Sequence, residues 1–417
     1  MNSELIQQVI ADQRLMINRK ERGLARMVSK EIHLKSGLIS VISGVRRSGK
    51  SILTLQMADN FPAFHFASFD DERLIAFTVE DFNAMLIEMK KNSDAHVIVM
   101  DEIQLIKGWE RFARRLHDEG YKVFITGSNA RLLSSELATH LTGRYLKTEL
   151  FPFSFREFLA YKNIDTADNT SDNKAKILNA FDHYLVHGGF PEYLHTGFQE
   201  VLKHIYDDII YRDLIVRFGI RNVTGFKNLA QYLFTNFTRE AGYLPLAKLL
   251  GFSSSNSVKD YISILREGYL VFDVPGYDYS LKRQYSSNRK IYVVDNGLRN
   301  SVSFRTSADE GRLLENAVYL ELLRRGNEVW YFRSKNERET DFLIRPGDPL
   351  LIQVCSDLSN PLTRKREVTS LVSCMKELGR TTGIILSKNE EDAMTVPEGS
   401  IRIIPAWKWM LSDEMLQ

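Results

Sequence analysis

Residues Gly44 to Ser51 read Gly-Val-Arg-Arg-Ser-Gly-Lys-Ser, a complete G-x-x-x-x-G-K-[ST] loop. Each residue type has a task at that spacing. Gly44 and Gly49 let the backbone curl around phosphate oxygens, and the N–H groups across Val45, Arg46, Arg47 and Ser48 face the anion at a helix N-terminus. Lys50 reaches the β- and γ-phosphates, and the Ser51 hydroxyl holds Mg²⁺. The flanks suit this chemistry: an apolar run, Leu38 to Ile42, precedes the loop and a helical pattern, Ile52 to Met57, follows it. The implied ligand is a nucleoside triphosphate, taken as ATP, with Mg²⁺.

A second constellation stands about fifty residues on. His96-Val97-Ile98-Val99-Met100 reads as a buried parallel strand ending in Asp101-Glu102. By itself an acidic strand end is more often a solvated one. Paired with the loop it becomes a Walker B element, in which Asp101 orders the metal and Glu102 takes a proton from the attacking water. A third strand, Lys122 to Ile125, runs into Thr126-Gly127-Ser128-Asn129. In P-loop ATPases of the additional-strand type a polar residue here senses the γ-phosphate. Ser128 is preferred and Asn129 is the alternative. A turn that merely caps the next helix fits either residue taken alone.

The chain of 417 residues has room for two or three domains, and its 44% hydrophobic and 26% charged content is that of a soluble globular protein. A formal net charge of +2 neither demands nor excludes nucleic acid. The two cysteines, Cys355 and Cys374, lack ligand spacing, so neither a zinc site nor a disulfide framework is expected. No signal segment opens the sequence and no apolar stretch is long enough to span a bilayer. The expectation is a cytoplasmic protein with no membrane partner.

The elements that position these residues alternate. Residues 1 to about 35 read as helical, a second strand covers Ala63–Phe69, and Thr78 caps a following helix. Alternating strands and helices predict an α/β core with a parallel sheet. A polar linker spans Asn163–Lys174, and a mostly helical segment follows. Leu244–Val274 has the pattern of a winged helix-turn-helix, with a second helix over Ser255–Glu267 and a wing opening at Gly268. Asn256, Lys259 and Arg266 are its candidate groove-reading residues; three polar residues on a helix face are also simply a solvated face. Beyond Arg289 the pattern changes to a strand at Lys290–Asp295, a helix from Gly311, a hairpin over Glu328–Ile344 and further strands at Leu350–Cys355 and Thr382–Ser387.

These blocks in this order resemble a family of prokaryotic AAA+ ATPases with a C-terminal domain of unknown function. The matching motifs include Gly44–Ser51, Phe69–Leu74, Val99–Gln104, Ile125–Ser128, Leu141–Arg144, Gly188–Pro191, Lys290–Leu298 and Thr340–Phe342. The resemblance implies a P-loop AAA+ ATPase core at 1–162, a helical lid and winged helix at 175–280, and a restriction-endonuclease-like α/β domain at 288–417. It also implies that Arg144 reaches the γ-phosphate of a neighbouring subunit, hence a homo-oligomer. A helix-end arginine paired with a nearby carboxylate is the plainer alternative.

In the nuclease-like pattern a helix Glu, a strand Asp and a Glu-x-Lys hold metal and position water. This chain offers Glu315 and Asp341, but the third block reads Gln353-Val354-Cys355. Two carboxylates without the lysine imply a domain that does not cleave. Arg364, Lys365, Arg366, Lys282, Arg283, Arg289 and Lys290 are its candidate DNA phosphate contacts. The combined expectation is a Mg-dependent ATPase whose nucleotide state controls the attached domains, with DNA as a candidate partner. The alternatives are a nucleotide-gated binding switch with little turnover and an ATP-dependent nuclease.

Overall fold

The computed structural model describes residues 1–128, 141–303, 310–345 and 349–412, and the chain divides into two compact units, Met1–Phe151 and Pro152–Gln417. In the first unit five strands form one parallel sheet: β1 (Ile39–Gly44), β2 (His65–Ser68), β3 (Val97–Asp101), β4 (Lys122–Gly127) and β5 (Tyr145–Leu150). Their order is β2-β3-β4-β1-β5, so β4 is inserted between the strand leading to the loop and the strand carrying the acidic pair.

Side chains alternate across this sheet, and both faces are covered, which is why the strands read as continuous apolar runs. Val41, Ile98, Met100, Val123 and Ile125 pack on one side in a cluster that also holds Ile6, Val9 and Ile10 of the helix Ser3–Arg19. Ile42, Val99 and Phe124 pack on the other, with Leu53, Leu55 and Met57 of the helix Lys50–Ala58. The sequence reading expected helix through residue 35. The helix ends at Arg19, and a non-helical stretch precedes the short helix Lys30–Lys35.

The second unit opens with helices, among them Phe155–Tyr161 and Ser171–His187. The helices Val223–Thr235, Tyr243–Leu250 and Ser255–Glu267 are interleaved with a small antiparallel sheet of β6 (Glu240–Ala241, between the first two helices), β7 (Val271–Pro275) and β8 (Arg289–Val293), in the order β6-β8-β7. The helix Glu310–Arg324 leads into a six-stranded mixed sheet of β9 (Val329–Arg333), β10 (Glu339–Ile344), β11 (Leu350–Cys355), β12 (Thr382–Ser387), β13 (Asp392–Val396) and β14 (Gly399–Pro405). The order is β13-β14-β12-β11-β10-β9. Neighbours from β9 to β11 are antiparallel, and β11, β12 and β14 are mutually parallel across the helix Pro361–Leu378. The pairing of β10 with β9 shifts register between Thr340 and Leu343, a bulge in the stretch that carries Asp341.

Two of the motifs that lie far apart in sequence meet here. Asp295 accepts hydrogen bonds from the Gly189 and Leu298 N–H groups, each at 2.8 Å. Asn296 Nδ2 donates to the Leu185 and Leu313 carbonyls. The Gly188–Pro191 and Lys290–Leu298 motifs therefore form a buried joint between helices rather than a reaction centre. Burial lifts the Asp295 carboxyl to about 6, against the pull of those N–H groups.

Candidate functional site: a phosphate loop beside an acidic strand end

The loop between β1 and the helix Lys50–Ala58 has backbone that only glycine supplies easily. Gly44 has φ 144°, and a Cβ there would stand 2.1 Å from the Leu150 carbonyl oxygen; Gly49 has φ 95° at the helix N-cap. The loop is thus cradled against the end of β5, a strand missing from the sequence reading because Tyr145-Leu-Lys-Thr-Glu-Leu is a half-exposed edge with Lys147 paired to Glu149.

Lys50 is buried, donates from Nζ to the Val45 carbonyl at 3.0 Å and stands 3.9 Å from Glu102 Oε1. At the end of β3, Asp101 Oδ1 accepts from Thr126 Oγ1 at 2.5 Å, and the Ser51 hydroxyl also engages that carboxylate. Glu102 has φ 52°, an unfavourable left-handed conformation for a non-glycine residue. It is held there by its N–H on Thr126 Oγ1 at 3.0 Å, by Ser128 Oγ donating to Oε1 at 2.6 Å, and by Gln104 Nε2 on Oε2.

The two acids respond in opposite directions. Burial and the Glu102 charge raise the Asp101 pKa. Burial also works against Glu102, but Lys50, Ser128 and Gln104 outweigh it and hold that carboxyl below its ordinary range.

The loop residues fit a phosphate. The glycine cradle admits close approach, and Ser48 Oγ is buried with no hydrogen-bond partner among the described residues. Ser51 and Asp101 present the neighbouring oxygens a Mg²⁺ ion takes. Arg46 is turned inward, 4.0 Å from Asp70 Oδ2, whereas Arg47 points to solvent at φ 65°.

Structure thus brings together Lys50, Ser51, Asp101, Glu102 and Ser128. Asn129 lies outside the described residues. Two contributors escaped the sequence reading. Thr126 bridges both acids, and Arg26 donates to the Ser48 carbonyl at 2.6 Å and the Phe151 carbonyl at 2.8 Å. Arg26 turns one loop carbonyl away and so helps the N–H groups point inward. Its signal was absent because it lies in the stretch read as plain helix.

Arg144 lies elsewhere. It immediately precedes β5, its carbonyl accepts from the Ile39 N–H at 2.8 Å, and its guanidinium is 36% exposed and 3.5 Å from Asp118. Ile39 begins β1 and Gly44 ends it, so Arg144 sits roughly 17 Å from the loop, at the opposite end of the sheet.

The carboxylates of the second unit hold a different arrangement. Lys290 Nζ is 2.8 Å from Asp341 Oδ1 and 2.9 Å from both Glu315 Oε1 and Glu339 Oε1. Tyr292 OH donates to Glu315 at 2.7 Å, and the Val354 N–H donates to Asp341 at 2.9 Å. The expectation of two carboxylates with no cation is corrected: β8 supplies an ammonium from a different strand. Lys290 as a DNA phosphate contact is also overturned, because its side chain is buried and ringed by acids. Burial opposes its charge, but Asp341 and Glu315 hold its pKa well above the ordinary lysine value.

Gln353 donates to Glu367 at 2.7 Å, and burial pushes the Cys355 thiol up to about 11. Other candidate DNA contacts have acidic partners. Arg266 is 2.8 Å from Asp273, Arg364 pairs with Asp392, Arg366 with Glu367, and Arg283 lies 3.6 Å from Asp278. Asn256, Lys259, Lys282 and Lys365 are exposed.

Comparison with known proteins agrees with the loop. Residues 36–159 match the family model of an AAA domain, and residues 178–309 and 310–409 match two domains of unknown function, DUF8612 and DUF4143. An uncharacterized protein of Methanocaldococcus jannaschii, MJ1544, is 34% identical over 99% of this chain and 97% of its own length. The chain belongs to that family. An uncharacterized protein of Haemophilus influenzae is 32% identical over 80% of this chain and 88% of its own.

The AAA match at the front of this chain covers both the loop and the acidic strand end. Among solved structures, the Walker-type ATPase PABY2304 of Pyrococcus abyssi aligns at TM-score 0.42 and 12% identity, over 68% of this chain and 97% of its own. The Aeropyrum pernix Orc1 protein, solved in complex with DNA, aligns at 0.34 and 12% identity, over 69% and 95%. At such scores neither carries an argument about this chain. No described helix is long and apolar enough to cross a membrane.

Proposed function

We propose that the protein is a Mg-dependent ATPase whose nucleotide state controls the domains that follow the loop-bearing unit. The observation that carries this reading is Glu102, a partly buried carboxylate 3.9 Å from Lys50 Nζ and aimed by Ser128 at the end of the strand beside the loop. Lys50 and the loop N–H groups bind and orient the phosphates. Ser51 and Asp101 hold Mg²⁺, which supplies charge neutralisation at the phosphate oxygens when bound. Glu102 accepts a proton from water, and Ser128 couples that carboxylate to what occupies the loop. Arg144 reaches a γ-phosphate only in a neighbouring copy, so its contribution depends on assembly.

DNA is the candidate partner of the second unit. A helix, a short strand, two helices and two further strands, with the three strands in one antiparallel sheet, support the winged-helix reading. The succession of helix, three antiparallel strands, helix and parallel strand supports a nuclease-like ancestry. Cleavage is disfavoured, since Lys290 takes the place among Glu315 and Asp341 that a metal requires.

ATP turnover of the purified chain, measured with and without duplex DNA, tests the proposal. Turnover that rises with DNA supports it. ATP binding with no turnover under either condition would favour the nucleotide-gated switch. Metal-dependent nicking of plasmid that is lost in Asp341→Ala would favour the nuclease.

A further inference from the structure

The two arginines in the loop differ in direction, and the inward one crosses the reaction site. Arg46 follows β1, yet its guanidinium meets Asp70, two residues beyond the end of β2. In the sheet order, β4 and β3 lie between those strands. Three strand intervals amount to about 14 Å. Arg46 and the aspartate facing it share that span, so the Arg46 side chain points along the C-terminal edge of the sheet toward the end of β3, and its charge is felt at the Glu102 carboxylate.

We propose that Arg46 supplies, within a single subunit, the positive charge that stabilises the γ-phosphate as it transfers to water, with Asp70 holding the guanidinium ready. This rests on the reading of the loop as an ATPase site. In that reaction the water oxygen bonds to the γ-phosphorus, and the bond to the bridging oxygen breaks. Its electron pair stays on ADP, and one water proton passes to Glu102. Charge grows on the equatorial and leaving oxygens, so a guanidinium beside them is worth more in the transition state than in the ground state. Arg144, at the far end of the sheet, cannot do this for its own loop, so a monomer needs a cation from elsewhere.

The test compares the affinity of the full-length chain for ATP with its affinity for ADP and aluminium fluoride, a transition-state mimic, alongside kcat. Arg46→Ala should change the ATP Kd by less than about fivefold, and should weaken the mimic and lower kcat by about 1,000-fold each, the lower end of the span known for such arginines. Arg46→Lys should fall between, at about tenfold. If Arg46→Ala fails to fold, the lysine variant decides. Wild-type kcat should not depend on protein concentration below the onset of assembly. Equal weakening of ATP and mimic in Arg46→Ala would overturn the proposal, and so would loss of mimic affinity in Arg144→Ala alone. A wild-type chain that binds no nucleotide would overturn the site reading itself, and this inference with it.

Discussion

Lys50 and Lys290 have equally buried side chains, each 4% exposed, yet they keep different company. Lys50 donates to a carbonyl and has its carboxylate at 3.9 Å, held off by the Ser128 and Gln104 bonds to the same Glu102. Lys290 touches three carboxylates at 2.8–2.9 Å, and Arg333 braces the third of them, Glu339. A buried ammonium that must meet an incoming anion cannot be surrounded by anions already. One that is so surrounded is structural, because Asp341 and Glu315 would otherwise lose the cation they share. On the proposed reading the first unit keeps its cation for a ligand, whereas the second has closed its cluster around one.

That contrast breaks most easily at the lysines themselves. Lys50→Ala should abolish ATP binding, with the Kd raised more than about 100-fold, since charge-assisted contacts to phosphate are the strong ones. The folded structure should survive, which calorimetric titration and a thermal melt would together check. Lys290→Met should do the reverse. It should cost about 3–5 kcal/mol of stability by stranding buried carboxylates, while any soluble protein recovered keeps its ATP affinity. Denaturant melts read the first effect. An unchanged melt would mean the cluster is not structural.

A pH series sharpens the same point at the buried joint. Asp295 has its carboxyl raised to about 6, above the ordinary aspartate value. A raised carboxyl stabilises the fold while protonated, so its contribution is present below about pH 4 and lost as pH rises through 6. Relative to Asp295→Asn, wild type should lose on the order of 3 kcal/mol between those limits. A constant gap between the two proteins across that range would contradict the assignment.

The smallest effect is expected from Arg144→Ala. It should remove only the part of the turnover that rises with protein concentration, leaving the dilute rate within about twofold. A fall in the dilute rate would place Arg144 in the reaction of its own subunit.

Much of the first unit was legible in the sequence because its chemistry is local. The loop, the strand before it and the acidic strand end are contiguous words, and buried parallel strands announce themselves as apolar runs. β5 was not legible: an edge strand with Lys147 and Glu149 has no such run. Arg26 and Thr126 were missed because their roles exist only after residues 22 to 125 positions apart are brought together. Lys290 was the instructive failure. Arg289 precedes it, and it reads as one more phosphate contact. Only the packing of β8 against the helix Glu310–Arg324 and the bulged β10 places it among acids. The second helix of the winged-helix pattern lies where it was expected, over Ser255–Glu267.

The most direct test of the central claim is ATP binding and single-turnover hydrolysis by Glu102→Gln beside wild type. The substitution keeps the shape that Ser128 and Gln104 engage and removes the proton acceptor. The account predicts ATP affinity within about threefold of wild type and hydrolysis slowed by 100-fold or more, about the span of general-base catalysis. Hydrolysis at the wild-type rate in Glu102→Gln would contradict it.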